Sequence, residues 1–278
     1  MATANIMCAA ALFDLTDRAW SPTAKVYITG RRYDALAESA QAYEGRGALI
    51  PLPMDVTDKA EILAAKETIA RSDGYLDILF NNAGQVGPRS LWMNDSTFAR
   101  NHDPEAFGMG LFEEAHDDWA QLFAIKAYPP FFVTSAFMGL LAKGAERHGA
   151  WTANVINVTS VAGSCKVAQD HFAYNAANAA NTHLTKMLAT ELARRKIPVR
   201  VNALAPGVFE SEMTRELLDE GGVESVAQGI HPVPMGRVGC VNEMAGTALW
   251  MASPAGGYLN GQEILIDGGF TTVNPSRY

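Results

Sequence analysis

The sequence predicts a doubly wound α/β fold, a mostly parallel sheet with helices on both faces, and three observations lead there. Short runs rich in β-branched residues alternate with longer segments whose apolar residues recur three or four positions apart, the pattern of strand–crossover–strand units. Of the 278 residues, 48% are hydrophobic and 19% are charged, which is enough apolar material for one sizeable core. No stretch rich in Pro, Gly or Ser splits the chain, and no repeat or low-complexity run interrupts it, so one domain over 1–278 is expected.

Taken in order, the strand-like runs are residues 25–29 (Lys-Val-Tyr-Ile-Thr), 48–52, 76–80, 154–158, 199–203 and 263–267. Runs this short and this apolar suit strands buried on both faces. Helical spacing marks residues 32–43, 59–72, 117–141, 175–195 and 242–251 as crossover helices. Residues 85–116 pass Gln85, Pro88, Asn101, Pro104 and Gly110 and are polar, irregular and turn-rich. A loop that long in a compact domain is usually functional, and it is expected to line or cover a pocket.

The formal net charge of -8 disfavours nucleic acid as a partner, because that binding depends on Lys and Arg neutralising phosphates. The longest apolar run, residues 6–13, falls far short of the roughly 20 residues that span a bilayer. No Lys or Arg precedes it, so a secretory signal is not indicated and a cytoplasmic protein, without membrane contact, is expected. Cys8, Cys165 and Cys240 form no Cys-x-x-Cys pair and read as reduced thiols. His102, His116, His148, His171, His183 and His231 show no metal-ligand spacing, so no metal is expected.

Several short motifs follow one another from residue 26 to residue 269. Val26-Tyr-Ile-Thr-Gly-Arg31-Arg32 ends a strand in a turn, Asp55-Val56 follows the next strand, and Asn81-Asn82-Ala83-Gly84 follows the third. Ser160 stands in Asn157-Val-Thr-Ser160-Val-Ala-Gly163, and Tyr174 comes 14 residues later. Val201-Asn-Ala-Leu-Ala-Pro206-Gly207 and Asp267-Gly-Gly269 complete the series. In this order the motifs resemble those of the short-chain dehydrogenase/reductase family, whose fold is a Rossmann-like doubly wound parallel sheet.

The resemblance implies that Tyr174 is an acid/base and that Ser160 hydrogen-bonds a substrate carbonyl oxygen. Two hydroxyls converging on one oxygen can stabilise developing negative charge there. It also implies that Arg31 and Arg32 lie where a 2′-phosphate is read, although without a Gly-rich turn they read rather as relics on a solvated turn, and that Asp55, Val56, Asn82, Ala83, Gly84, Pro206 and Gly207 border a nucleotide if one is bound. Relatives commonly pair through the helix after the Tyr and through the C-terminal region, so a homodimer or homotetramer is expected.

Three departures set the chain apart. The Gly-rich turn that brings backbone N–H groups to a pyrophosphate is absent before residue 25, where residues 17–24 are too few for a strand, turn and helix. The expectation is an abbreviated or rearranged N-terminal unit over residues 1–24, with residues 6–13 filling the vacant strand position. The family's Tyr-x-x-x-Lys reads Tyr174-Asn-Ala-Ala-Asn178, and Asn178 cannot supply the lysine's charge. Lys126 stands where the family usually has an Asn, either restoring a positive charge near Tyr174 or lying on a solvated helix surface.

The losses concern the cofactor and the retained groups concern the substrate, so the reading favoured by the sequence is cofactor-independent acid/base chemistry. It would be an isomerisation, cyclisation, aldol-type or elimination step on a small carbonyl metabolite, with polyketide-like molecules among the candidates, using Tyr174, Ser160, Lys126 and Asn178. The alternative is an NADPH-dependent carbonyl oxidoreductase with a rebuilt cofactor site, and a second alternative is a non-catalytic pseudoenzyme or binding protein. Trp92, Phe107, Phe112, Phe209 and Met213 are expected to wall an apolar pocket, with His171, three residues before Tyr174, reaching the same site.

Overall fold

Among the described residues six parallel strands carry the molecule: β1 Lys25–Gly30, β2 Ala48–Pro53, β3 Ile78–Asn81, β4 Ala153–Val158, β5 Val199–Pro206 and β6 Glu263–Ile266. Each strand-like run in the sequence becomes one of them. The computed structural model describes residues 24–45, 47–95, 97–147, 152–211, 214 and 231–277, so the placement expected for residues 6–13 lies outside the described residues. The strands pair in the orders β1-β2 and β3-β4-β5-β6, parallel throughout. Helices α1 Tyr33–Gln41, α2 Lys59–Ser72, α3 Pro104–Phe112, α4 His116–Lys126, α5 Pro129–Arg147, α6 Phe172–Arg194, α7 Val241–Ala252 and α8 Phe270–Val273 supply the crossovers and lids. The architecture is the expected α/β, Rossmann-like parallel sheet.

Burial follows the alternation of side chains along the central strands. On β4, Val155 joins Ile62, Val133, Leu141 and Val201 in a core against α2, α5 and α6. The next residue, Ile156, points the other way and joins Leu204, Met244 and Met251 under α7. With both faces covered, β4 is buried at all six positions. Each fully buried Leu, Ile or Val contributes about 1.5–3 kcal/mol relative to exposure.

Two helical elements differ from the sequence expectation. The single helix expected over 117–141 is two, α4 and α5, because Pro129 and Pro130 lack backbone N–H groups and Tyr128, before a proline, is disfavoured in helix. By length and hydropathy the run His116–Arg147 could cross a membrane, but half of it is buried, with Leu122 and Leu141 fully enclosed, so it serves as a core helix pair. Residues 85–116 are not all irregular: α3 starts where Asp103 accepts a 2.7 Å hydrogen bond from the Ala106 amide and Pro104 opens the first turn.

The gap between the two sheets falls where the resemblance places the family's first strand. Among the described residues, β1 pairs with β2 alone and β3 with β4 alone.

Candidate active site

The strand ends that carry chemistry are the C-terminal ends of β3, β4 and β5, the usual ligand side of an open parallel sheet. Ser160 lies two residues past β4 and its Oγ accepts a 3.3 Å hydrogen bond from the Ala162 amide, capping a 3-10 turn, Val161–Gly163. That turn presses on α6 at Gly163, where a Cβ would sit 2.8 Å from the Ala179 nitrogen. The close approach sets Ser160 beside Tyr174, in the first turn of α6.

Burial pushes the Tyr174 pKa up, and hydrogen bonds with the Ser160 and Asn178 side chains pull part of the way back. The residue itself stays half-buried, packed against Leu122, Ala173 and Ala177. Asn178 follows one helical turn later, as the sequence spacing requires. Its Nδ2 donates to the Tyr174 carbonyl at 2.9 Å, whereas its Oδ1 is buried without a hydrogen-bond partner. A buried acceptor left unpaired costs about 1–3 kcal/mol and calls for a donor.

Lys126, the last residue of α4, is not on a solvated surface. It is 6% exposed, its Nζ donates to the Val158 carbonyl at 3.1 Å, and burial lowers its pKa to about 8. A Cβ on Gly84 would lie 3.2 Å from that Nζ, so the amine sits between the turn after β3 and the end of β4. Lys126 and Asn178 are therefore both enclosed at this end of the sheet, arriving from different helices.

A line of polar side chains that the sequence reading missed ties these walls together. Asn81 Nδ2 donates to Asn157 Oδ1 at 2.8 Å, and Asn157 Nδ2 donates to Thr185 Oγ1 at 2.8 Å. Thr185 Oγ1 donates to the Asn181 carbonyl at 3.0 Å, and Asn181 Nδ2 donates to the Lys126 carbonyl at 3.3 Å. The available signal was an Asn inside an otherwise apolar strand, and Asn178, Asn181 and Thr185 at spacings of three and four on one helix face.

On the other side of the sheet gap, Arg31 and Arg32 follow β1 and are exposed. The Asp55 carboxylate accepts from the Thr57 amide at 2.8 Å and the Thr57 hydroxyl at 2.7 Å. These bonds, with a smaller contribution from the Arg31 charge, hold Asp55 below the usual carboxylate range. Val56 instead packs on the core. Asn82, Ala83 and Gly84 form an exposed turn after β3. Pro206 ends β5, and Gly207 fits so closely under Asp267 that a Cβ would lie 2.8 Å from its Cα.

The expected pocket residues scatter. Trp92 and Phe107 pack edge to face at 5.4 Å within the 85–116 segment, while Phe112 ends α3 at 80% exposure. Phe209 turns its ring into the core under β5 and α7 and against Gly239. Met213 lies outside the described residues. His171 does reach the site, with its ring centroid 6.1 Å from that of Tyr174. Trp119 and Phe123, stacked at 6.4 Å and packed on the same Leu122–Ala173–Ala177 cluster as Tyr174, were not anticipated.

A family model described as enoyl-(acyl carrier protein) reductase matches residues 18–271. A short-chain dehydrogenase/reductase of Diaporthe leptostromiformis, PhomF, is 35% identical over 264 residues, covering 92% of this chain and 85% of the relative. The rhamnolipids biosynthesis 3-oxoacyl-(acyl-carrier-protein) reductase of Pseudomonas aeruginosa is 30% identical over 247 residues, covering 89% and 86%. Among solved structures, the Pseudomonas aeruginosa RhlG/NADP active-site complex superposes with a TM-score of 0.74 at 30% identity, covering 88% of this chain and 86% of that one. The chain belongs to the short-chain dehydrogenase/reductase family.

These relatives overturn the expectation of cofactor-independent isomerase, cyclase or lyase chemistry. They are named as reductases and dehydrogenases, and one of the similar structures holds NADP, which points to a nicotinamide cofactor and not to none. The physical reason is visible in the site. Replacing the lysine at 178 leaves an enclosed acceptor, Asn178 Oδ1, and another amine, Lys126, is buried at the same strand ends.

Proposed function

We propose that the protein is an NADPH-dependent reductase of a carbonyl group on a small, largely apolar metabolite, and that it works in the cytoplasm. The observation that carries this reading is the buried, unpaired Asn178 Oδ1 one turn from Tyr174, whose raised pKa the Ser160 side chain partly offsets. An acceptor there suits a ribose hydroxyl, which can donate. Lys126 would add a positive charge at the same end, and Arg31 and Arg32 suit a 2′-phosphate, which guanidinium groups bind in a bidentate fashion. When bound, NADPH supplies the hydride.

The chain's own residues supply the rest. Ser160 and Tyr174 converge on the substrate carbonyl oxygen, Ser160 holding it by a hydrogen bond while Tyr174 donates its proton as negative charge develops. A tyrosine is protonated at neutral pH and burial raises its pKa further, so Tyr174 enters the step as the proton donor. The likeness to 3-oxoacyl-(acyl-carrier-protein) reductases favours a 3-oxo, polyketide-like substrate. The test is NADPH oxidation in the presence of a panel of 3-oxo esters and thioesters and aryl ketones. Turnover of at least one of them, lost in Tyr174→Phe, supports the reading; no oxidation with any, by protein that binds no NADPH, refutes it.

A further inference from the structure

A Tyr174 that has given up its proton must regain one, and the lysine that the family would place nearby is Asn178, which carries no ionisable group. Lys126 is committed to the Val158 carbonyl. The titratable side chain set beside Tyr174 is His171, the N-cap residue of α6, whose ring lies 6.1 Å from that of Tyr174 at 57°. Their three-residue spacing at the head of a helix puts them on one side. We propose that His171 is a second acid/base of this site, returning a proton to Tyr174 after each reduction, with Asp170 and Arg89 as its positioning residues. The proposal rests on the reductase reading above.

The surroundings of His171 are built for this. Its Nδ1 lies 2.5 Å from Asp170 Oδ1 and also contacts the Gln169 carbonyl. Nε2, on the far edge of the ring, has no partner among the described residues. Asp170 is 2% exposed, and Arg89 grips it with two bonds, Nε to Oδ1 and Nη2 to Oδ2, each 3.2 Å. Burial acts to raise the Asp170 pKa, but hydrogen bonds from His171 and Arg89 outweigh it and hold the group ionised.

The backbone is bent to place this pair. Gln169 and Asp170 are consecutive non-glycine residues at φ 50 and 62, in the left-handed region. The Ser90 amide fixes the bend by donating to the Asp170 carbonyl at 2.9 Å. The charged or titratable groups facing His171 are thus Asp170 from its own loop, Arg89 from the segment after β3 and Tyr174 from α6. Glu114 stands one contact further away, through Ser90.

The proton balance is simple. The substrate oxygen takes the Tyr174 proton, the phenolate takes the Nε2 proton of the imidazolium, directly or across one water, and the imidazole regains a proton from solvent. A side chain that keeps 20% of its surface open allows that last exchange.

The test compares wild type with His171→Ala and Asp170→Asn. NADPH affinity is measured by calorimetry, turnover is measured across pH with and without added imidazole, and the Tyr174 ring signals are followed by NMR in the free protein. The expected result is unchanged NADPH affinity in His171→Ala, turnover lowered by roughly 10²-fold, and partial recovery with imidazole. An inflection in the Tyr174 signals from the His171 titration should also vanish in that variant. Asp170→Asn should fall less, with a displaced pH profile. Turnover within twofold of wild type, or a loss that imidazole does not relieve with the Tyr174 inflection intact, overturns the proposal. If wild type neither binds NADPH nor turns over, the reductase reading fails instead, and the NMR inflection alone decides whether the two rings share a proton.

Discussion

Lys126 is a charge held where charge is costly. Its pKa falls from 10.5 to about 8, and at about 1.4 kcal/mol per pH unit the burial costs on the order of 3 kcal/mol at neutral pH. Between pH 8 and 10.5 the unfolded chain holds this proton and the folded chain does not, so stability rises with pH across that window and the full cost is present below it. Lys126→Met is therefore expected to unfold at higher denaturant concentration than wild type at pH 7, with the difference shrinking toward pH 10.5. Equal stability at pH 7 would contradict the burial argument. Tyr174→Phe is expected to lower turnover by roughly 10²–10⁴-fold, the usual worth of a positioned acid, while calorimetry finds NADPH affinity unchanged. That Tyr174 and Ser160 would lie at one end of the sheet was legible in the sequence because their motifs stand in order. The burial of Asn178 and Lys126 was not, since no sequence pattern reports which buried oxygen lacks a partner or which amine meets a carbonyl from another element.

At the scale of elements, the turn Val161–Gly163 and helix α6 act as one unit because Gly163 lets them touch. Gly163→Ala would place a Cβ 2.8 Å from backbone atoms of α6, which cannot move as a side-chain tip can. The expected cost is about 1–3 kcal/mol in denaturant unfolding, with turnover falling further than stability alone explains because Ser160 shifts away from Tyr174. The variant keeping full turnover would show that this contact does not set the hydroxyl pair. The strands and α2 were read from the sequence to within a few residues, since β-branched runs and three-to-four spacing are local signals. The α4–α5 break and helix α3 were missed although both had local marks, Pro129-Pro130 for the first and Asp103-Pro104 for the second. The apolar spacing across 117–141 masked the one, and the polar look of 85–116 masked the other.

For the whole molecule, strand pairing joins residues far apart in the chain, so the division of the described strands into β1-β2 and β3-β4-β5-β6 was foreshadowed only by the shortness of the stretch before residue 25. The inference from an absent Gly-rich turn and an absent Tyr-x-x-x-Lys lysine to an absent cofactor did not hold, because relatives that align along most of the chain are named as reductases and dehydrogenases and a similar structure holds NADP. A ligand that binds only the folded state at one hundred times its Kd adds about 2.7 kcal/mol, so saturating NADPH is expected to raise the melting temperature by roughly 5–10 °C for a chain of this size. The most direct test of the account is calorimetric titration of the purified protein with NADPH and with NADH. The account predicts saturable binding of NADPH, tighter than NADH, with the preference weakened in Arg31→Ala. No heat of binding for either nucleotide at millimolar concentration would contradict it.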